Sequence, residues 1–465
     1  MAKKNQTVFV CQECGYESPK WMGQCICGAW NSFVEEKVVD TTKIDHRRRA
    51  SSQQTSKVVK ATKLKEVGTN NYTRIDTGIK ELNRVLGGGL VKGSLTLISG
   101  EPGIGKSTLI IQAATKIAEE VGTVLYVSGE ESEEQIKMRA DRVCPNMSQD
   151  LYILSETNME NIIEVCNKLE PKFLIIDSIQ TMYTAELDSV PGSVSQVRAC
   201  GNLLMNIGKT GNVPIFIVAH VTKNGELAGP KIVEHMVDCV LNFSGERNHD
   251  LRILRAFKNR FGTTSEIGAF KMEEEGLTEI HNLSATFLDD NDYMVEGSMI
   301  TAVYEGSRPV LLEVQGLTAT TNVGFSRRTS VGIETQRLNM ILAVLEKKAG
   351  LPMVNQDVYV NVVGGLKVDS PSVDLAVALA IYSSLRNTCW NCPVLVVGEV
   401  GLTGEIRSIQ HSDKILNEAM RMGYKKVVLP RKNYNEAIKN IEKYKCIELI
   451  GVRSLSEAIY QMKNQ

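Results

Sequence analysis

The sequence predicts an α/β protein of three parts. Three observations carry that prediction. Four cysteines crowd the start, a phosphate-loop motif lies between an apolar strand and a helix, and a second alternation of strands and helices fills the C-terminal part. The chain has 465 residues, 43% hydrophobic and 23% charged, enough for more than one large core. A formal net charge of −1 excludes a chain that coats nucleic acid by bulk charge, so any anion must be met locally. The N-terminus "MAKKNQTVFVCQEC" has no apolar leader, and the longest apolar run, "LAVALAIYSSL", is too short to span a bilayer. The expectation is a soluble cytoplasmic protein with no membrane partner, whose eleven cysteines are thiols or metal ligands rather than disulfides.

Residues 1–36 hold "CQECGYESPKWMGQCICGAW", with Cys11, Cys14, Cys25 and Cys27. Four thiolates in so short a module read as a structural Zn²⁺ site whose metal supplies the folding energy. The second pair, Cys-x-Cys, is one residue tighter than the usual knuckle. The remaining cysteines, Cys389 and Cys392 among them, read as small apolar residues. Residues 37–67 form a basic flexible linker, "KVVDTTKIDHRRRASSQQTSKVVKATKLK" over 37–65, suited to a solvated tether or to an arm for phosphate backbone.

Residues 68–285 alternate "SLTLISG", "TVLYVSG", "LYILSE", "FLIID" and "PIFIVAH" with helical stretches such as "KSTLIIQAATKIAEEVG". Strands apolar throughout belong to a mostly parallel sheet covered on both faces. Residues 286–465 form a second α/β domain. Its strands are "RPVLLEVQGLT", "DVYVNVVGGLKV", "PVLVVGEVG" and "KKVVLP"; its helices are "TQRLNMILAVLEKKAG", "SVDLAVALAIYSSL" and "SDKILNEAMRMG".

"GEPGIGKST" fits G-x-x-x-x-G-K-[ST] in the required strand-to-helix context. Gly100, Glu101, Pro102, Gly103, Ile104, Gly105, Lys106, Ser107 and Thr108 cradle the phosphates of a nucleotide. Lys106 reaches the β- and γ-phosphates, and Ser107 holds Mg²⁺. Asp177, closing "FLIID", is the second Mg²⁺ residue. In "YVSGEES", Glu130 is the expected base for the attacking water, while Glu131, Glu133 and Glu134 suit a helix N-terminus. His220, at the end of "PIFIVAH", is placed to sense the γ-phosphate or to serve structure alone. "VTKN" is not a guanine-reading motif, so the nucleotide is ATP. Past the apolar "LRILRAF", "KNRFG" sets Lys258 and Arg260 two apart on extended chain, hence on one face.

The whole chain resembles the bacterial RadA/Sms recombination ATPases. The likeness rests on the cysteine module "GYESPKWMGQC…CGAWNSF", on "LNRVLGGGLVKGSLTLISGEPGIGKSTL", "YVSGEES", "LIIDSIQTMY" and "KNRFG", and on "VGEVGLTGEIRSI". The resemblance implies a zinc ribbon-like module, a RecA-like P-loop domain and a C-terminal domain similar to the Lon protease. It implies a DNA-dependent ATPase, helicase-like, acting with RecA on single-stranded DNA and branched recombination intermediates, as a hexameric ring. In such an assembly Lys258 and Arg260 meet the next subunit's nucleotide, the DNA backbone, or both. The loops after Asp177 ("QTMYTAELDSVPGSVSQ") and after His220 ("VTKNGELAGPK", with Lys223 and Lys231) line the DNA channel. In the Lon-like domain Ser372 stands at the nucleophile position. Its lysine partner should be residue 413, which is Asp413; Lys414 is adjacent but would point elsewhere on a helix. No proteolysis is therefore expected, and the domain reads as an assembly and DNA-binding platform, with Arg327 and Arg328 of "FSRRTS" as a phosphate patch or an ordinary solvated turn. The other classes in play are an ATP-dependent protease and a regulatory ATPase that binds proteins and no DNA.

Overall fold

A computed structural model describes residues 7–11, 16–37, 63, 74–220, 232–245, 250–288, 295–321, 326–364 and 366–464. Cys14, nearly all of the basic linker, Lys223, Lys231 and the side chain of His220 lie outside the described residues. The chain divides into two compact units, Met1–Glu279 and Ile280–Gln465.

The first unit begins with a small antiparallel sheet. Thr7–Cys11 pairs with Glu17–Ser18 on one side and Phe33–Lys37 on the other. Its buried apolar cluster is only Cys11, Cys25 and Phe33 among the described residues. So thin a core agrees with a module folded around a metal rather than by apolar burial.

The nine-stranded sheet of this unit runs, edge to edge, Gly276–Glu279, Ile267–Glu273, Leu251–Asn259, Cys239–Ser244, Leu95–Gly100, Ile215–His220, Phe173–Asp177, Val124–Ser128 and Leu151–Ser155. The last six are parallel and the first three continue antiparallel. The unbroken apolar strands are explained by alternation between two cores. Leu97, Leu174, Ile176 and Ile217 enter one. Ile98, Phe173, Ile175 and Phe216 enter the other, on the opposite face. Helices cover both faces, with starts set by local chemistry. Ser132 and Gln135 form a reciprocal capping box at Glu133–Val143. Asn158 caps Met159–Leu169, and Ser193 caps Val194–Gly211.

The second unit has a seven-stranded mixed sheet, ordered Arg328–Val331, Gln356–Val362, Arg308–Thr320, Ser298–Glu305, Val394–Val396, Lys426–Pro430 and Glu448–Val452. The helix Asp374–Arg386, buried from Asp374 to Ser383, packs across Arg308–Thr320. Gly316 permits that approach, because a Cβ there would lie 3.0 Å from the Ile381 amide nitrogen.

Several expectations need correction. "PVLVVGEVG" is two strands, Val394–Val396 and Glu399–Val400, and "DVYVNVVGGLKV" is strand only to Val362. "FSRRTS" is not merely a turn: Arg328 opens the edge strand Arg328–Val331. Cys144, Cys166, Cys200 and Cys239 are buried, but Cys389 and Cys446 are exposed, so these two are not core residues. No helix among the described residues is long and apolar enough to cross a membrane.

Candidate active site

The parallel register brings the carboxyl ends of the central strands together, where ligands bind in open α/β sheets. His220 pairs with Gly100, and Ser128 with Asp177. The turn Gly100–Gly105 closes the strand Leu95–Gly100 and opens the helix Lys106–Glu120. Gly103 and Gly105 have φ of +78° and +111°, the left-handed region that lets backbone N–H groups turn into the loop.

A cavity of about 500 Å³ opens there, lined by the phosphate loop, Glu130, Asp177 and the arginines Arg139, Arg142 and Arg252. Lys106 is buried, and its Nζ donates to the carbonyls of Gly100 at 2.8 Å and Glu101 at 2.9 Å. Burial pushes its ammonium down to about 8, with Asp177 and Glu130 acting in the opposite direction. Ser107 Oγ donates to Asp177 Oδ2 at 2.9 Å, and the Tyr126 hydroxyl donates to the same oxygen. Burial, with the Asp177 carboxylate beside it, holds the Tyr126 phenol well above its ordinary value. A hydroxyl and a carboxylate in contact are hard oxygen donors of the kind Mg²⁺ takes alongside phosphates and water.

Glu130 lines the cavity, its Oε1 accepting from Ser178 Oγ at 2.5 Å. Glu131 is not a helix-start acid: it precedes the Ser132 cap and forms an ion pair with Arg139. Glu133 and Glu134 do occupy the first helical turn. The sequence reading missed Tyr126, Ser178, Arg139, Arg142 and Arg252. Only Arg252 carried a signal, a cation inside the apolar "LRILRAF". It is buried and its Nε donates to the Ile104 carbonyl at 3.2 Å, bracing the phosphate loop.

"KNRFG" lies elsewhere. The antiparallel strand Leu251–Asn259 starts beside the phosphate loop and ends at the opposite end of the parallel strands, where Asn259 pairs with Cys239 and Cys239 with Thr96. Lys258 is six extended residues from Arg252, roughly 20 Å. Lys258 Nζ donates to the carbonyl of Glu234 at 2.7 Å, and Arg260 pairs with Asp238 at 3.0 Å. Burial, with Arg260 nearby, lowers the Lys258 ammonium. Gly262 packs against Gly87, and a Cβ on Gly262 would stand 3.0 Å from the Gly87 Cα.

The ligand atoms of Cys11, Cys25 and Cys27 lie within 4.8 Å of one another, the Sγ atoms of Cys11 and Cys27 at 3.9 Å. Three soft thiols converging from the end of the strand Thr7–Cys11 and from the Cys25–Cys27 loop suit a tetrahedral metal site. In the second unit, Ser372 lines a cavity of about 390 Å³ with Ser370, Tyr304, Glu399, Gln410 and His411. Its Oγ donates to the Ala302 carbonyl at 3.1 Å. Asp413 is exposed and is not among the lining residues. Lys414 is not among the lining residues either; its Nζ lies 2.6 Å from the hydroxyl of Tyr304, which is. Arg327 and Arg328 are exposed.

The "DNA repair protein RadA" of Bacillus subtilis is 49% identical to this chain over 98% of both chains. That of Halalkalibacterium halodurans is 49% identical and that of Listeria monocytogenes 45%, each over 99% of both chains. The chain belongs to the RadA family. Three family models match successive parts of this RadA chain: a rubredoxin metal binding domain over residues 9–35, an AAA domain over 61–226 and the ChlI subunit of Mg-chelatase over 313–433. The fold class is therefore α/β, with an N-terminal metal-binding module, an AAA-type P-loop domain built on a mostly parallel sheet and a second α/β domain. Among solved structures, a KaiC-like protein of Pyrococcus horikoshii aligns over 44% of the chain and 98% of its own at 20% identity, with a TM-score of 0.37.

Proposed function

We propose that the chain is a DNA-dependent ATPase, a motor that drives branch migration of recombination intermediates with RecA during DNA repair in the cytoplasm. The observation that carries this is the cavity joining a phosphate loop, a buried lysine, a hydroxyl–carboxylate pair and the acid Glu130. ATP phosphates sit on the N–H groups of Gly103 to Thr108, and Lys106 exchanges its two carbonyl partners for phosphate oxygens. Ser107 and Asp177 would hold Mg²⁺, which would supply positive charge beside the phosphates. Tyr126 keeps the Asp177 carboxylate aimed, and Glu130 takes the proton of the attacking water. His220 senses the γ-phosphate at the adjoining strand end. Cys11, Cys14, Cys25 and Cys27 hold Zn²⁺ in the N-terminal module.

The cations of "KNRFG" are too far from their own phosphate loop to serve it. They suit an anion brought by another molecule: nucleotide of the neighbour in a hexameric ring, or DNA backbone. The loop between Asp177 and Val194 is the described DNA-facing candidate; its exposed apex, residues 185–191, carries Glu186 and Asp188 and no cation, so hydroxyl and N–H contacts would do the work there. The deciding experiment is steady-state ATP hydrolysis with and without single-stranded DNA, for the native chain and for Glu130→Gln. Native turnover rises with DNA, and Glu130→Gln binds ATP while losing turnover by about 10²-fold or more. Absence of DNA stimulation would favour a regulatory ATPase.

A further inference from the structure

The acid proposed as base is tied to the strand that opens the candidate DNA loop. Ser178 follows Asp177, is fully buried, and its hydroxyl donates to Glu130 Oε1. Ser178 is in turn held from the loop side. The Thr181 hydroxyl donates to the Ser178 carbonyl at 2.8 Å, and the Thr181 N–H reaches the same oxygen at 3.3 Å. On the other flank the Gly129 N–H donates to the Asp177 carbonyl at 2.9 Å. Gly129 lies so close to Thr181 that a Cβ on it would stand 2.1 Å from Thr181 Oγ1. Residues 129–130 and 177–181 thus form one packed unit, with the base at one side and the loop at the other.

The loop itself is braced as a body. Buried Gln196, on the helix that ends it, donates to the carbonyls of Thr184, Leu187 and Ser189, and its side-chain oxygen accepts from the Thr184 N–H. A load on the exposed apex is therefore passed to the loop's root rather than absorbed by a slack segment. The root is Thr181 and Ser178.

We propose that Ser178 is a positioning residue, and that occupancy of the 180–193 loop by single-stranded DNA reaches Glu130 through Thr181 and Ser178. This rests on the DNA-dependent ATPase reading above. Moving the Ser178 hydroxyl changes where the carboxylate points, because that hydroxyl donates to its Oε1. No contact between DNA and nucleotide is needed; both bias one packed element.

The test uses the full chain with Zn²⁺, Mg²⁺ and ATP. Ser178→Ala and Thr181→Val each remove one donor, and Thr181→Ser restores the second. ATP binding is read with a fluorescent analogue, DNA binding by anisotropy of a labelled oligo-dT, and kcat and KM for ATP with and without that DNA. Native stimulation is measured first; if it is absent, the DNA-dependent reading fails and this coupling falls with it. Where it is present, Ser178→Ala and Thr181→Val keep binding both ligands while stimulation of kcat falls to within about twofold of none, and Thr181→Ser recovers it. Stimulation in Ser178→Ala or Thr181→Val comparable to the native value, whatever the absolute rate, overturns the proposal. Thr181→Val is isosteric and half-buried, so it decides the matter even where Ser178→Ala is poorly folded.

Discussion

Lys106 shows how burial and function meet in one side chain. Its ammonium sits among the carbonyls of Gly100 and Glu101 and is depressed to about 8 before any phosphate arrives. Phosphate favours the charged form, so the bound state titrates at higher pH than the free state. Below about 8 the lysine is protonated in both states and ATP affinity is independent of this group. Above it, binding must return a proton to Lys106, and affinity falls by up to about tenfold per pH unit until the bound group titrates. Calorimetry from pH 7 to 9.5 in two buffers of different ionisation enthalpy should show proton uptake growing through that window. Flat affinity and no uptake would mean that Lys106 remains charged throughout.

At the scale of elements, a turn and a strand are held together by the absence of a side chain. Gly129 ends the strand Val124–Ser128 and lets the Glu130 turn close on Thr181. Gly129→Ala places a methyl where Thr181 Oγ1 and Cβ already lie, so one segment must shift. Overpacking of this kind costs roughly 1–3 kcal/mol. The melting temperature should fall, and hydrolysis should fall further than ATP binding, because the displaced element carries Glu130. Native melting with native turnover would show that the turn relaxes freely. The strand Leu251–Asn259 teaches the complementary lesson. Its Arg252 braces one end of the sheet and Lys258 stands at the other, so one element serves two regions.

For the whole molecule, the separation of "KNRFG" from its own phosphate loop makes a prediction about assembly. If Lys258 acts on a neighbour's nucleotide, Lys258→Ala binds ATP normally and hydrolyses it roughly 10³-fold more slowly. Mixing it with Lys106→Ala subunits restores part of the rate, because some interfaces then join an intact phosphate loop to an intact cation. If the cations meet only DNA, basal turnover survives, DNA affinity falls and its salt dependence becomes shallower. Hydrolysis by the two variants, alone and mixed, separates these outcomes.

What the sequence by itself determined was what contiguous backbone can encode. The phosphate loop is nine successive residues whose glycines and flanking elements suffice to place N–H groups, Lys106 and Ser107. Unbroken apolar strands declared a sheet covered on both faces, and cysteine spacing declared a metal module. Tertiary structure alone decided what lies across chain gaps. Tyr126 and Ser107 meet on Asp177, 51 and 70 residues apart, and Ser178 meets Glu130 across 48. Nothing in local pattern marks Tyr126 or Ser178, because each is an ordinary residue until strand order and register set its neighbour. The same register carries "KNRFG" away from the cavity: one antiparallel reversal runs that strand to the opposite end of its parallel neighbours, a distance no motif records.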